Sequence, residues 1–191
     1  MPSQKIQVKI FAECAPDTVD YVAVFQRWIR DHSLEELLID VVDYSHVADG
    51  PEVALIGHES HYVMDRAEAR LGLLCFAKRV PASAENPYLG AIRRAVRACR
   101  LLENENSIAA PLRFRSNELQ IRIADRLSAP NTDATFEREA PALRAALARL
   151  YGSAPFTLER YGSARELFGV RVSAPAAPPL AELASRLTIA A

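Results

Sequence analysis

The chain predicts an α+β fold, built as two related β-α-β-β-α units with mainly antiparallel sheets. Three observations carry this. The alternating run Ile6-Gln7-Val8-Lys9-Ile10 returns as Leu119-Gln120-Ile121-Arg122-Ile123, apolar and polar in the same order. A related turn follows each copy, Ala15-Pro16-Asp17-Thr18 and Ala129-Pro130-Asn131-Thr132, with the offset growing by one residue. Strand-like runs next to one another are joined by short turns, which favours antiparallel pairing with helices on one face. The repeat points to an internal duplication, with units at 1–107 and 108–191 packed as one compact body about a pseudo-two-fold axis. A ferredoxin-like arrangement satisfies this pattern.

The elements follow in order. Residues 5–12 alternate as a half-buried strand with Ile6, Val8 and Ile10 on one face. Pro16 stops it, Asp17 offers a helix N-cap, and Tyr21, Val22, Phe25, Trp28 and Ile29 form the apolar stripe of a helix over 18–31. Strands are expected at 37–42 and 53–56 around the Ala48-Asp49-Gly50-Pro51 turn, then at 62–64 and 71–77 around a polar turn at 65–70. Asn86-Pro87 opens a helix over 88–103, with Ile92, Ala95, Val96, Cys99 and Leu102 at helical spacing. Asn104-Glu105-Asn106-Ser107 marks the unit boundary.

In the second unit the main strand is expected over 118–125. Pro141 confines the regular helix to about 140–151, because proline fits only a first turn. A hairpin over 156–161 and 167–173 turns at Gly162-Ser163-Ala164-Arg165, and a short helix over 180–187 closes the chain.

At 191 residues, half hydrophobic and a quarter charged, the chain can bury a core without disulfides or a structural metal. A formal net charge of −1 argues against coating nucleic acid or acidic membranes. Lys5, Lys9 and Lys78 are the only lysines among 23 basic residues, so cationic chemistry here is guanidinium chemistry, suited to bidentate anion contacts. Cys14, Cys75 and Cys99 are too widely spaced for a metal or secretory disulfide pattern, and the N-terminus carries no signal-peptide pattern, so a cytoplasmic setting is expected. Seven scattered glycines make no phosphate-cradling loop, and no cofactor is expected.

Two sets of residues carry candidate chemistry. Arg93, Arg97 and Arg100 fall at i, i+4 and i+7 and present three guanidinium groups along one helix face, with Arg113, Arg115 and Arg122 as extensions. Glu85, Glu103 and Glu105 are the carboxylates placed to balance them in a plain solvated face. The second set is Gly57-His58-Glu59-Ser60-His61. His58, Glu59 and His61 are catalytic candidates for acid–base work, and His46, His58 and His61 would be the metal ligands of a metal-assisted reaction. His58 and His61 differ by an odd number, so a regular strand would splay them.

Cys14, just ahead of a helix start, is placed for a lowered thiol pKa, whereas Cys75 and Cys99 read as core residues. Glu13, Asp17, Asp125 and Asp133 lie at the two strand-to-helix corners, where helix capping needs the same residue types. The expected function is a non-catalytic binding or interaction module. It would take a protein or small-molecule ligand in a groove between the units or on the arginine-lined helix, and a homo-oligomer is compatible with it. The alternative is an enzyme centred on residues 57–61.

Overall fold

The computed structural model describes residues 4–16, 19–47, 50–80, 86–108 and 110–188. Eight strands form one antiparallel sheet: β1 (Gln4–Cys14), β2 (Leu38–Asp43), β3 (Pro51–Gly57), β4 (Ser60–Asp65), β5 (Gly72–Val80), β6 (Arg113–Ile123), β7 (Thr157–Tyr161) and β8 (Phe168–Ser173). Their spatial order is β2-β3-β4-β5-β1-β6-β8-β7. The helices are α1 (Tyr21–Arg30), α2 (Pro87–Glu103), α3 (Asp133–Tyr151) and α4 (Leu180–Arg186). The α+β class with antiparallel pairing is therefore observed, and the two halves share a single sheet. None of the described helices is long and apolar enough to cross a membrane.

The two strands with matching sequences are neighbours at the centre. β1 and β6 pair antiparallel with Val8 opposite Ile121, Ile6 opposite Ile123 and Ile10 opposite Leu119. A local two-fold axis at Val8–Ile121 would generate this register. All six side chains are buried, because alternation turns them together toward the helices. Cys75, Tyr62 and Leu55 continue the same row through β5, β4 and β3, and Val170 continues it into β8. Tyr88, Ile92, Val96 and Cys99 of α2 pack on this layer with Phe25 and Trp28 of α1 and Leu147 and Leu150 of α3, in one continuous core.

Several boundaries differ from the sequence expectation. Asp17 lies outside the described residues, and the N-cap of α1 is Asp20, whose side chain accepts from the Ala23 N–H at 2.9 Å. The helix consequently starts at Tyr21 rather than near residue 18. Pro141 does not open α3. The helix begins at Asp133 behind a Thr132 cap and carries the proline exposed in its interior. The apolar contacts of Leu143, Ala146, Leu147 and Leu150 hold it despite the one backbone donor that proline lacks. Asn86 caps α2 and Pro87 opens it, in keeping with the expected Asn86-Pro87 start. The polar turn after β4 contains a single 3-10 turn, Ala67–Ala69, with Glu68 at φ 65° and Ala69 at φ 54°.

Candidate functional site

On the helix side, a cavity of about 730 Å³ lies between α2, the Leu34–Glu36 connection, the β3–β4 turn and α4. Arg93, Arg94, Arg97 and Arg100 line one wall, and Glu35, Glu36 and Glu59 line the other. The predicted stripe of Arg93, Arg97 and Arg100 therefore faces a concavity, closed in part by Ala184, Ser185 and Thr188. The balancing carboxylates differ from those expected. Glu105 pairs with Arg27 at 2.9 Å, Glu103 accepts the Phe114 N–H at 2.8 Å, and Glu85 lies outside the described residues. Arg97 pairs instead with Glu35 and Arg94 with Glu59. Among the described residues Arg93 and Arg100 make no side-chain hydrogen bond or ion pair.

Glu36 organises the opposite wall. Its Oε2 accepts the backbone N–H groups of Glu59 at 2.7 Å and Ser60 at 2.9 Å, and its Oε1 accepts from the Tyr62 hydroxyl at 2.8 Å. Three donors on one side chain only 5% exposed fix both the turn and the tyrosine. Burial and the neighbouring Glu36 carboxylate push the Tyr62 phenol far above its usual range, so it stays a donor. Arg94 Nε lies 4.0 Å from Glu36 Oε1, which ties α2 to this wall. Glu36 was not singled out by sequence reasoning. The doublet Glu35-Glu36 ahead of an apolar strand is its one local signal.

Arg100 also borders a neighbouring cavity of about 510 Å³ with Arg113 and Arg115. Arg113 is tied to the Glu103 and Leu112 carbonyls. Arg122 does not extend the stripe. Even spacing along β6 places it across the sheet from Ile121 and Ile123, on the face away from the helices.

The histidine set is dispersed. His46 and His58 are exposed in their turns, and Glu59 faces Arg94. His61 lies on the face away from the helices, its ring centroid 6.0 Å from that of Phe76 and its Nδ1 buried without a hydrogen-bond partner. Burial and the nearby Lys78 lower its pKa. His58, Glu59 and His61 are thus not brought together, and no group of three or more His, Cys, Asp or Glu side chains among the described residues is placed to hold a metal ion.

Cys14 is exposed at the end of β1, with its Sγ 3.6 Å from the Pro111 carbonyl. Cys75 and Cys99 are fully buried, and burial drives both thiols up, Cys75 to about 12. At the corners, Asp125 accepts the N–H groups of Leu127 and Ser128, and Asp133 pairs with Arg160 at 2.8 Å, so these carboxylates are used locally.

The face away from the helices carries a second polar network. Lys9 Nζ donates to Asp65 Oδ2 at 2.6 Å and to the Ala67 carbonyl at 3.1 Å, and burial lowers its pKa. Arg70 makes two 2.7 Å bonds to Glu118 and stacks 3.7 Å above the Phe11 ring. The 3-10 turn is strapped across β1 and β6 by these contacts and by Glu68.

Comparison with known proteins adds no relative: no family model, no curated protein and no solved structure matches this chain.

Proposed function

We propose that this protein is a binding module that takes a small polyanionic ligand into the arginine-lined cavity. One observation carries the reading: Arg93 and Arg100 face a cavity of about 730 Å³ without an acidic partner among the described residues, beside Arg94 and Arg97 whose charges are already matched. A guanidinium offers up to five donors in a planar fork, and an anion would supply the missing acceptors. One wall is rigid by construction, because Glu36 fixes the β3–β4 turn and Tyr62. Preformed walls spare a ligand the cost of ordering them. Seven positions separate Arg93 from Arg100, so their backbones are about 10 Å apart along the helix. A ligand with two separated negative groups spans that distance better than a single oxyanion does.

The reading is one of binding rather than catalysis. The charged groups assembled at the cavity are guanidiniums and carboxylates, suited to holding charge. A cytoplasmic setting belongs to it, supported by the three free cysteines, which a reducing compartment would maintain.

Calorimetric titration with inorganic pyrophosphate at low salt tests the proposal. Binding to the unaltered chain should weaken at least tenfold in the Arg93→Gln/Arg100→Gln double variant. Arg144→Gln, on the exposed side of α3, should leave it unchanged. Equal loss in both variants would reduce the effect to net charge, and no binding by the unaltered chain would overturn the proposal.

A further inference from the structure

The face of the sheet away from the helices carries an oxyanion cradle that the chain itself occupies. Glu68 Oε1 accepts from Arg122 Nη2 at 2.8 Å, and Glu68 Oε2 accepts from Gln120 Nε2 at 3.0 Å. Two donors from alternate residues of β6 thus meet the two oxygens of one carboxylate. Arg122 Nε turns to the Tyr161 hydroxyl. The Tyr161 ring lies against Gly169, where an added Cβ would stand 2.8 Å from it, so only glycine admits the ring there. Arg122 and Arg171 flank this ring at 5.6 and 5.2 Å from its centroid.

Two features set this apart from an ordinary surface ion pair. Glu68 and the following Ala69 both hold left-handed backbone, φ 65° and 54°, which non-glycine residues avoid unless the surroundings impose it. The turn is strained where it delivers the carboxylate. Arg171 has no carboxylate partner among the described residues, and its Nε is buried without a hydrogen-bond acceptor, so one guanidinium donor is unused within the chain. Beyond the polar Gln7 the surface presents the paired rings of Phe76 and His61, their centroids 6.0 Å apart. Gln7 stands opposite Arg122, Phe76 opposite Gln7, and His61 opposite Phe76. Phe76 and His61 are half-buried, with no described helix above them, and begin two strand spacings, about 10 Å, from Arg122.

We propose that Arg122, Gln120 and Arg171 form a binding site for a carboxylate carried on an apolar body, and that Glu68 is its internal competitor. The ligand's carboxylate displaces that of Glu68, gains the unused donor of Arg171, and lays its apolar portion toward Phe76 and His61. The site lies across the sheet from the arginine-lined cavity and does not depend on it.

The test is titration of 4-phenylbutanoate followed by NMR of the arginine side chains and the His61 ring, with 4-phenylbutanol as the uncharged comparison. Glu68→Gln should tighten binding of the carboxylate at least tenfold over the unaltered chain, with shifts at Arg122, Arg171 and His61. Glu68→Gly serves as a second variant, because it removes the carboxylate while suiting the left-handed backbone. Arg171→Gln should abolish the gain, and Arg93→Gln/Arg100→Gln should preserve it. Equal binding of the alcohol, shifts confined to the α2 cavity, or no gain in either Glu68 variant would overturn the proposal.

Discussion

The Glu36 carboxylate rests against Gly57, so closely that a Cβ built on the glycine would stand 2.5 Å from Oε2 and 2.6 Å from the Ser60 carbonyl. The absence of a side chain at Gly57 is what lets one carboxylate reach the N–H groups of both Glu59 and Ser60. Gly57→Ala should therefore lower stability by about 1–3 kcal/mol through overpacking, measured as a shift of the urea midpoint. It should also loosen the cavity wall. A double-mutant cycle with Glu36→Ala should be strongly non-additive, since once the carboxylate is gone the methyl group meets fewer neighbours. Additive effects would mean that the two residues do not share this contact.

Alkaline pH should destabilise the fold before it denatures exposed structure. The sign follows from burial. Cys75 ionises at an ordinary 9.0 in the unfolded chain but is held up to about 12 in the native one. Cys99 and the buried Tyr21 are also raised, Tyr21 to about 12. Between pH 9.0 and about 12 for the Cys75 thiol, and between 10.0 and about 12 for Tyr21, the native state thus retains more protons, and stability falls as pH rises, by up to about 1.4 kcal/mol per pH unit for each such group. Lys9 opposes this. Its native pKa is lowered by burial, so its contribution rises with pH below 10.5. One ammonium is outnumbered by two thiols and the tyrosines, and the net slope is downward. Urea midpoints taken under reducing conditions should fall above pH 9, and Cys75→Ala should flatten part of that slope even though it lowers stability at neutral pH. An unchanged slope would remove the buried thiol as its source.

Local patterns revealed the strands, the Asn86-Pro87 start of α2 and the arginine stripe, because alternation and helical spacing are properties of neighbouring residues. They did not reveal what faces the stripe. Glu35 and Glu59 reach Arg97 and Arg94 from 62 and 35 positions away, and no periodicity encodes that approach. The odd spacing of His58 and His61 would splay them only on a regular strand, whereas the structure puts His58 in the turn and His61 in the strand. Alternation gave Lys9 and Gln120 the face away from Val8 and Ile121. It carried no hint that residues 66–70 would fold back over that face and bury both. Pro141 misled for a related reason: helix propensity is a local quantity, while α3 is held by packing of its far turns.

The shared β1–β6 pairing makes a claim about folding that the repeated sequence alone does not. If each half were an independent unit, a core substitution in the second half would leave the first half's transition in place. Here Ile121 packs opposite Val8 in one continuous core that also holds Trp28, the sole tryptophan of the chain. Ile121→Ala should cost about 2–5 kcal/mol. The loss should appear equally in Trp28 fluorescence, which reports α1 and its contact with the β2 side of the sheet, and in far-UV circular dichroism, which reports both halves. Coincident curves, displaced together, are what a single cooperative body requires. A Trp28 transition that stays in place while the dichroism curve splits would show that β1 and β6 join two separately stable units.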